Sequence, residues 1–343
     1  MLKTEITKRT LHFRQPAGTS RGIYTERDIW LLKVTDTLTG ATGVGECAPL
    51  PDLSCDSRPD YGDTLRALCL NLETTGEINI PLLRPYPSML FGMETALLSM
   101  QRGDILFDTP FSRGEEGIPI NGLVWMGSYE EMNSRMEEKI EQGFNCVKLK
   151  IGAIDFGSEL NLVRSIRKRF SPDTIELRVD ANGGFSPRDA LRRIEELSHF
   201  GIHSIEQPIR QRQWGLMAGI CASSAIPVAL DEELIGVNVA GMKEELLDRI
   251  KPHYLVIKPS LHGGISGTRE WVSLARNRSI GSWITSALES SIGLSAIAQL
   301  ASDINGPCVT FPQGLGTGAL YTDNLPASTE IRGNMIWMKK RIN

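Results

Sequence analysis

From about Ile118 onward, short β-branched runs alternate with stretches whose apolar residues recur at helical spacing. The runs read IPINGLVW, NCVKLKI, TIELRVDA, IHSIEQP, IPVALDE, PHYLVIKPS, GSWITSA and PCVTFPQ, eight in all. Between them lie segments such as SYEEMNSRMEEKIEQG, SPRDALRRIEELSHFG and ISGTREWVSLARNRS. Serine or threonine often opens these segments and glycine or proline often closes them, as helix caps require. Eight alternations over about two hundred residues predict an α/β fold, a (β/α)₈-type barrel spanning 116–322.

Residues 1–115 have a different texture. DIWLLKVTDTLTG followed by ATGVGECAPL reads as a hairpin turning near Thr39 and Gly40, and PSMLFGMETALLSMQRG as a helix closing at Gly103. This region predicts an α+β capping domain. The tail, 323–343, contains GNMIWMKK, reads as a late strand, and is expected to return to the cap.

Within the barrel pattern, FNCVKLKIG raises a question. Val147 and Leu149 share one face of the strand, so Lys148 and Lys150 must project together on the other. An edge strand with a solvated face would explain two lysines, but a closed barrel has no edges. Ionisable groups then recur near the carboxyl ends of the next runs: Asp180, Glu206, Asp231 and Lys258. Counted from Lys150, the intervals are 30, 26, 25 and 27 residues, the repeat of the barrel itself. A solvated face predicts scatter rather than this phase. Active sites of such barrels lie at the carboxyl ends of the strands, so six charges from five strands converge on one mouth.

Three crowded carboxylates cannot all stay ionised without compensation, and a divalent cation supplies it. All-oxygen ligands favour Mg²⁺, with Mn²⁺ able to substitute, over zinc. The nearest imidazole pair, His199 and His203, straddles the helix-ending Gly201. A lysine acts as a base only when neutral, which requires lowering its pKa by about 3 units, or roughly 4 kcal/mol. Lys148 and the cation are expected to supply positive potential that helps make Lys150 that base. Lys258 then presents a second base, acid or cation to the other side of a substrate. A Schiff-base role for one lysine would leave the carboxylates unexplained.

Composition removes whole classes of partner. A net charge of −4 over 343 residues gives no footprint for nucleic acid or an anionic membrane. No apolar run approaches bilayer length, and MLKTEITKRTLHF lacks the core of a signal peptide. The six cysteines form no C-x-x-C pair and read as reduced, mostly buried thiols in a cytoplasmic protein. At 41% hydrophobic content the chain can bury a large core.

The motifs VKLKIG, VDANGGF, IEQP, ALDEEL and VIKPSLHGGISG together resemble the enolase superfamily, in its muconate-lactonizing subgroup. The resemblance spans essentially the whole chain. It implies that Asp180, Glu206 and Asp231 hold Mg²⁺, with Glu232 beside them in a supporting role. It implies Lys150 as the base and Lys258 as the lysine on the opposite face of a small carboxylate substrate. INGLVWMG, SALESSIGL and FPQGLGTGALYTDN point, within the subgroup, to a syn-eliminating dehydratase. Dipeptide epimerases of the subgroup carry D-x-D at the eighth strand, where this chain reads GLGTG with no acid until Asp323. Racemization of an N-acylamino acid remains the alternative activity, and a non-catalytic ligand-binding barrel the remote one. Ser286, Gly264 and Asn182 are expected to contact substrate. Gly18 to Arg27 and Cys47 to Ser54 resemble the family's two specificity loops, with Arg21 or Arg27 a candidate partner for a second substrate carboxylate. Oligomeric state is not legible.

Overall fold

The computed structural model describes residues 1–19, 22–125, 127–152 and 154–339. The chain opens with β1 (Leu2–Thr19), β2 (Gly22–Asp36) and β3 (Thr42–Cys47), an antiparallel sheet in that order. The β2–β3 turn falls where the sequence placed it, with Gly40 at φ 74°. Three helices follow: α1 (Tyr61–Thr75), α2 (Ile80–Leu83) and α3 (Pro87–Arg102). α3 begins on a proline, whose missing N–H costs nothing in a first turn, and stops at Gly103. Leu32 and Val34 of β2 pack with Leu65 and Leu72 of α1 and with Met89 and Met93 of α3.

The second layer begins with β4 (Ile118–Pro119). A parallel sheet then runs through β5 (Gly122–Val124), β6 (Cys146–Lys150), β7 (Glu176–Asp180) and β8 (Ser204–Glu206). It continues through β9 (Val228–Leu230), β10 (Tyr254–Ile257) and β11 (Gly281–Ile284). Spatial order follows chain order. A helix follows each strand: α4 (Tyr129–Glu141), α5 (Phe156–Arg169), α6 (Ala190–Ser198) and α7 (Trp214–Ser223). The series ends with α8 (Ala240–Ile250), α9 (Gly264–Arg276) and α10 (Ser291–Asn305). Local chemistry sets their starts. Ser128 and Glu131 form a reciprocal capping box on α4, and Asp155 accepts from the Ser158 N–H on α5. Val147, Leu149, Val179 and Ile205 point outward into one core with Leu162, Ile194 and Leu246 of the helices. Each such side chain contributes about 1.5–3 kcal/mol by leaving water.

Two of the eight apolar runs differ from the sequence reading. IPINGLVW splits, because Ile118–Pro119 pairs with the carboxyl-terminal hairpin while Gly122–Val124 joins the barrel. PCVTFPQ yields no extended strand among the described residues. Instead Gln313 bridges Ile120 and Gly314 bridges Thr285, so a two-residue seam connects the first strand to the last. Pro312 cannot donate to a ladder. The Gln313 side chain substitutes for missing backbone, its Oε1 accepting from the Ile284 N–H at 2.8 Å. Gly314 is required there, since a Cβ would lie 2.1 Å from Thr285 Oγ1.

The tail touches both layers. Asp323 Oδ1 accepts from the His12 N–H of β1 at 2.8 Å, just after Tyr321 bridges Phe13. Beyond it β12 (Thr329–Arg332) and β13 (Met335–Met338) form a hairpin whose second strand pairs with β4. Ile336 and Met338 are buried in the barrel-side core.

Two cap glutamates grip barrel helices. Glu46 on β3 accepts from the N–H groups of Ser290 and Gly293 at 2.8 Å each, at the start of α10. Glu94 on α3 accepts from Ile265 at 2.5 Å and Ser266 at 3.0 Å, at the start of α9. Burial pushes the Glu94 carboxyl up from 4.5 to about 7, against the pull of these donors. The folded state therefore holds a proton that the unfolded chain has released. The contribution to stability is full below pH 4.5 and is lost as pH rises through about 7. The swing is at most about 3 kcal/mol. Urea unfolding at stepped pH should show this slope, and Glu94→Gln should flatten it; an unchanged slope in the variant would exclude Glu94 as its source.

Candidate active site

Strand register gathers the charges. Lys150 of β6 stands opposite Asp180 of β7, which stands opposite Glu206 of β8. Asp231 follows β9 by one residue and Lys258 follows β10 by one. Lys148 Nζ lies 2.9 Å from Asp180 Oδ2 and 3.0 Å from both oxygens of Glu206. Lys150 Nζ lies 3.0 Å from Asp180 Oδ2 and 2.6 Å from Asn182 Oδ1, and Lys258 Nζ pairs with Asp231 Oδ2. All three carboxylates are buried.

Their electrostatics follow from burial set against these contacts. Desolvation raises Asp180, but Lys148 and Lys150 outweigh it and hold the carboxyl far below its usual range. Desolvation pushes Glu206 up to about 8, helped by the Asp180 charge and opposed by Lys148. Desolvation likewise raises Asp231 against Lys258, and raises Glu232. Burial alone would depress Lys148 and Lys258. For Lys148 the Asp180 and Glu206 charges prevail, and for Lys258 those of Asp231 and Glu232, leaving both raised. Lys148, expected to lend positive potential to Lys150, is thus paired with the carboxylates of Asp180 and Glu206.

Asn182, at φ 43°, connects two of these groups. It accepts from Lys150, and its Nδ2 donates to Glu232 Oε1 at 2.9 Å. Among the described residues, Glu232 Oε2 and Asp231 Oδ1 are buried with no hydrogen-bond partner.

Lys148, Lys150, Lys258, Asn182, Glu232 and Ser286 line one cavity. Gly264 lies outside it, where a Cβ would come 2.3 Å from Glu94 Oε2, so a cap contact requires glycine there. Ser286 Oγ shares a hydrogen bond with Thr317 Oγ1 at 2.5 Å. The floor is aromatic. Trp283 lines the cavity, and the buried Arg178 guanidinium lies 4.7 Å from its ring and 4.3 Å from that of Phe311. The roof comes from Tyr24 on β2, so the expected loop at 18–27 is largely strand, and from Leu50 and Leu53 in the loop after β3. Arg21 lies outside the described residues. Arg27 is buried and donates to the carbonyls of Ala48 and Ala287, out of a ligand's reach.

Sequence reasoning missed Trp125, Trp283, Thr285 and Thr317 as lining residues. Trp125, Trp283 and Thr285 lie on or just past β5 and β11, in the phase that exposed the lysines. Their lack of charge hid them.

The donor set fits a hard divalent cation. Three buried carboxylates meet, one oxygen of Asp231 has no hydrogen-bond partner among the described residues, and lysine ammoniums fill the role of counter-charge among them. Among the described residues no three ligand groups already converge closely enough to hold a metal.

A family model described as enolase C-terminal domain-like matches residues 131–321. The o-succinylbenzoate synthase of Desulfotalea psychrophila is 43% identical over 95% of this chain and 96% of that protein. The crystal structure of MenC from the same organism superposes with a TM-score of 0.84 at 38% identity, covering 98% of this chain and 99% of that one. The L-Ala-D/L-Glu epimerase of Bacillus subtilis is 28% identical over 52% of this chain and 48% of its own. A dipeptide epimerase from Enterococcus faecalis, solved with Mg and the dipeptide L-Leu-L-Tyr, shares the fold at TM-score 0.82 and 18% identity, covering 98% of this chain and 96% of that one. This chain belongs to the enolase superfamily.

Proposed function

We infer that the protein is an o-succinylbenzoate synthase, a hydro-lyase acting in menaquinone biosynthesis. It converts 2-succinyl-6-hydroxy-2,4-cyclohexadiene-1-carboxylate to o-succinylbenzoate and water. The carrying observation is likeness to such a synthase along 95% of the chain, whereas the Bacillus subtilis epimerase matches about half. Gly314, Gly316 and Thr317 line the cavity from the eighth-strand segment, giving it no carboxylate to hold a dipeptide's amino group.

Asp180, Glu206 and Asp231 would hold Mg²⁺, with Mn²⁺ able to replace it. When bound, the ion supplies a fixed positive charge against the negative charge that develops at the substrate carboxylate. Lys150 removes the proton α to that carboxylate. Asn182, which joins Lys150 to Glu232, orients the ammonium and gives its charge a second partner. The hydroxyl leaves from the same face with the proton Lys150 carries. One C–H and one C–O bond break, water departs, and the ring becomes aromatic. Lys258 stays cationic beside the flattened ring, where its charge stabilises the π system. The Trp283 floor and the Leu50 and Leu53 roof exclude water from the developing charge. Ser286 offers a hydroxyl to the substrate's second carboxylate.

Both lysines face one cavity, the pair that proton transfer between opposite faces of a substrate requires, so racemization of an N-succinylamino acid is the second reading. Purified protein with Mg²⁺ should form o-succinylbenzoate well above the spontaneous rate. Efficient racemization of an N-succinylamino acid with no such product would replace the first reading by the second.

A further inference from the structure

Arg27 sits on β2 of the cap, 1% exposed, opposite Leu11 of β1. Its guanidinium reaches two backbone carbonyls: Nη1 donates to Ala287 O and Nη2 to Ala48 O. Those carbonyls belong to the two segments that supply the cap side and the barrel side of the cavity. Ala48 leads into the cap loop that contributes Leu50 and Leu53, while Ala287 and Leu288 line the barrel side.

The barrel wall is held against its own preference. Leu288 adopts φ 65°, a left-handed conformation that a bulky L-residue keeps only when its surroundings impose it. The Ala287 N–H donates to Glu289 Oε2 at 2.6 Å, so that residue is gripped at both its N–H and its carbonyl. The other Glu289 oxygen accepts from Ser260 Oγ, two residues past Lys258. Tyr321 Oη donates to Leu288 O at 2.5 Å. Burying a cation to satisfy two carbonyls is a costly way to join loops. A planar fork nevertheless fixes two acceptors at a set separation, as an ammonium cannot.

We propose that Arg27 is a positioning residue whose guanidinium fixes the spacing of the two cavity walls and so selects the substrate side chain that fits between them. The side-chain assignment rests on the proposed function. Loosening the clamp weakens the grip on the succinyl tail while the lysines and carboxylates, carried on other strands, keep their geometry.

The test compares Arg27→Lys and Arg27→Ala with wild type, each loaded with Mg²⁺ and checked by thermal unfolding. KM is expected to rise about tenfold or more while kcat stays within about threefold, because ground-state and transition-state binding are lost together. Millimolar guanidinium should lower the KM of Arg27→Ala again, which general damage to the fold would not allow. The Kd ratio of o-succinylbenzoate to benzoate, measured by calorimetry, should move toward unity in both variants. If neither variant folds, Tyr321→Phe, which frees the Leu288 carbonyl and removes a hydroxyl beside Arg27, should show the same KM shift in smaller measure. A folded Arg27 variant with wild-type KM and Kd ratio, or one that loses kcat alone, overturns the proposal, as does an unshifted Tyr321→Phe. The Kd comparison reads Arg27 whether or not wild type turns over, and wild-type turnover tests the function alone.

Discussion

Lys150→Ala is expected to leave a folded protein whose dehydration is slower by about 10³-fold or more. A positioned general base contributes about 10²–10⁴-fold, and Lys150 also supplies charge beside the reacting carboxylate. The fold should tolerate the loss because the buried partner is not abandoned. Asp180 Oδ2 keeps Lys148 at 2.9 Å, so no carboxylate is left without a cation. Asn182 loses a donor to its Oδ1, yet it is only partly buried and water can reach it. Initial rates and thermal unfolding measured on one preparation separate the two effects. Retention of more than a tenth of wild-type turnover would place the base elsewhere.

Removing the metal should have an effect of the same order. Prolonged chelation is expected to bring turnover to the spontaneous rate, and Mg²⁺ or Mn²⁺ to restore it. A second readout does not involve turnover. Glu206 is pushed up to about 8 by burial and by Asp180, and a divalent ion relieves it. Ligand that binds only the folded state stabilises it by about 2.7 kcal/mol at a hundredfold excess over Kd, so Mg²⁺ should raise the unfolding temperature. Glu206→Ala should lose both that rise and turnover. Full turnover of protein shown metal-free by elemental analysis would refute the assignment.

The charged half of the candidate site was legible because a barrel places the carboxyl ends of its strands at fixed phase. Lys148, Lys150, Asp180, Glu206, Asp231 and Lys258 could be counted off before any contact was known, and the cavity and its carboxylate nest now hold them together. The first and last barrel strands were less legible for a reason of range. Whether Ile118 belongs to the barrel depends on Ile336, over two hundred residues away. Whether Phe311 is strand depends on a seam that uses only Gln313 and Gly314. No local pattern records such partners. Arg27 illustrates the same limit. An arginine in a polar stretch reads as solvated, and only tertiary structure reveals that two backbone carbonyls enclose it. Gly264 sat in a motif and so looked functional, but it answers to a cap helix.

The two-residue seam also bears on how such a protein changes over generations. The lysines and carboxylates stand on, or one residue past, β6 to β10, a continuous arc of paired strands. Ser286, Gly314 and Thr317 flank the seam, where the ladder shrinks to isolated bridges and a glutamine side chain stands in for backbone. Insertions and exchanges there disturb few partners. Lineages can therefore inherit the charged cluster intact on one side of the ring while the other side drifts.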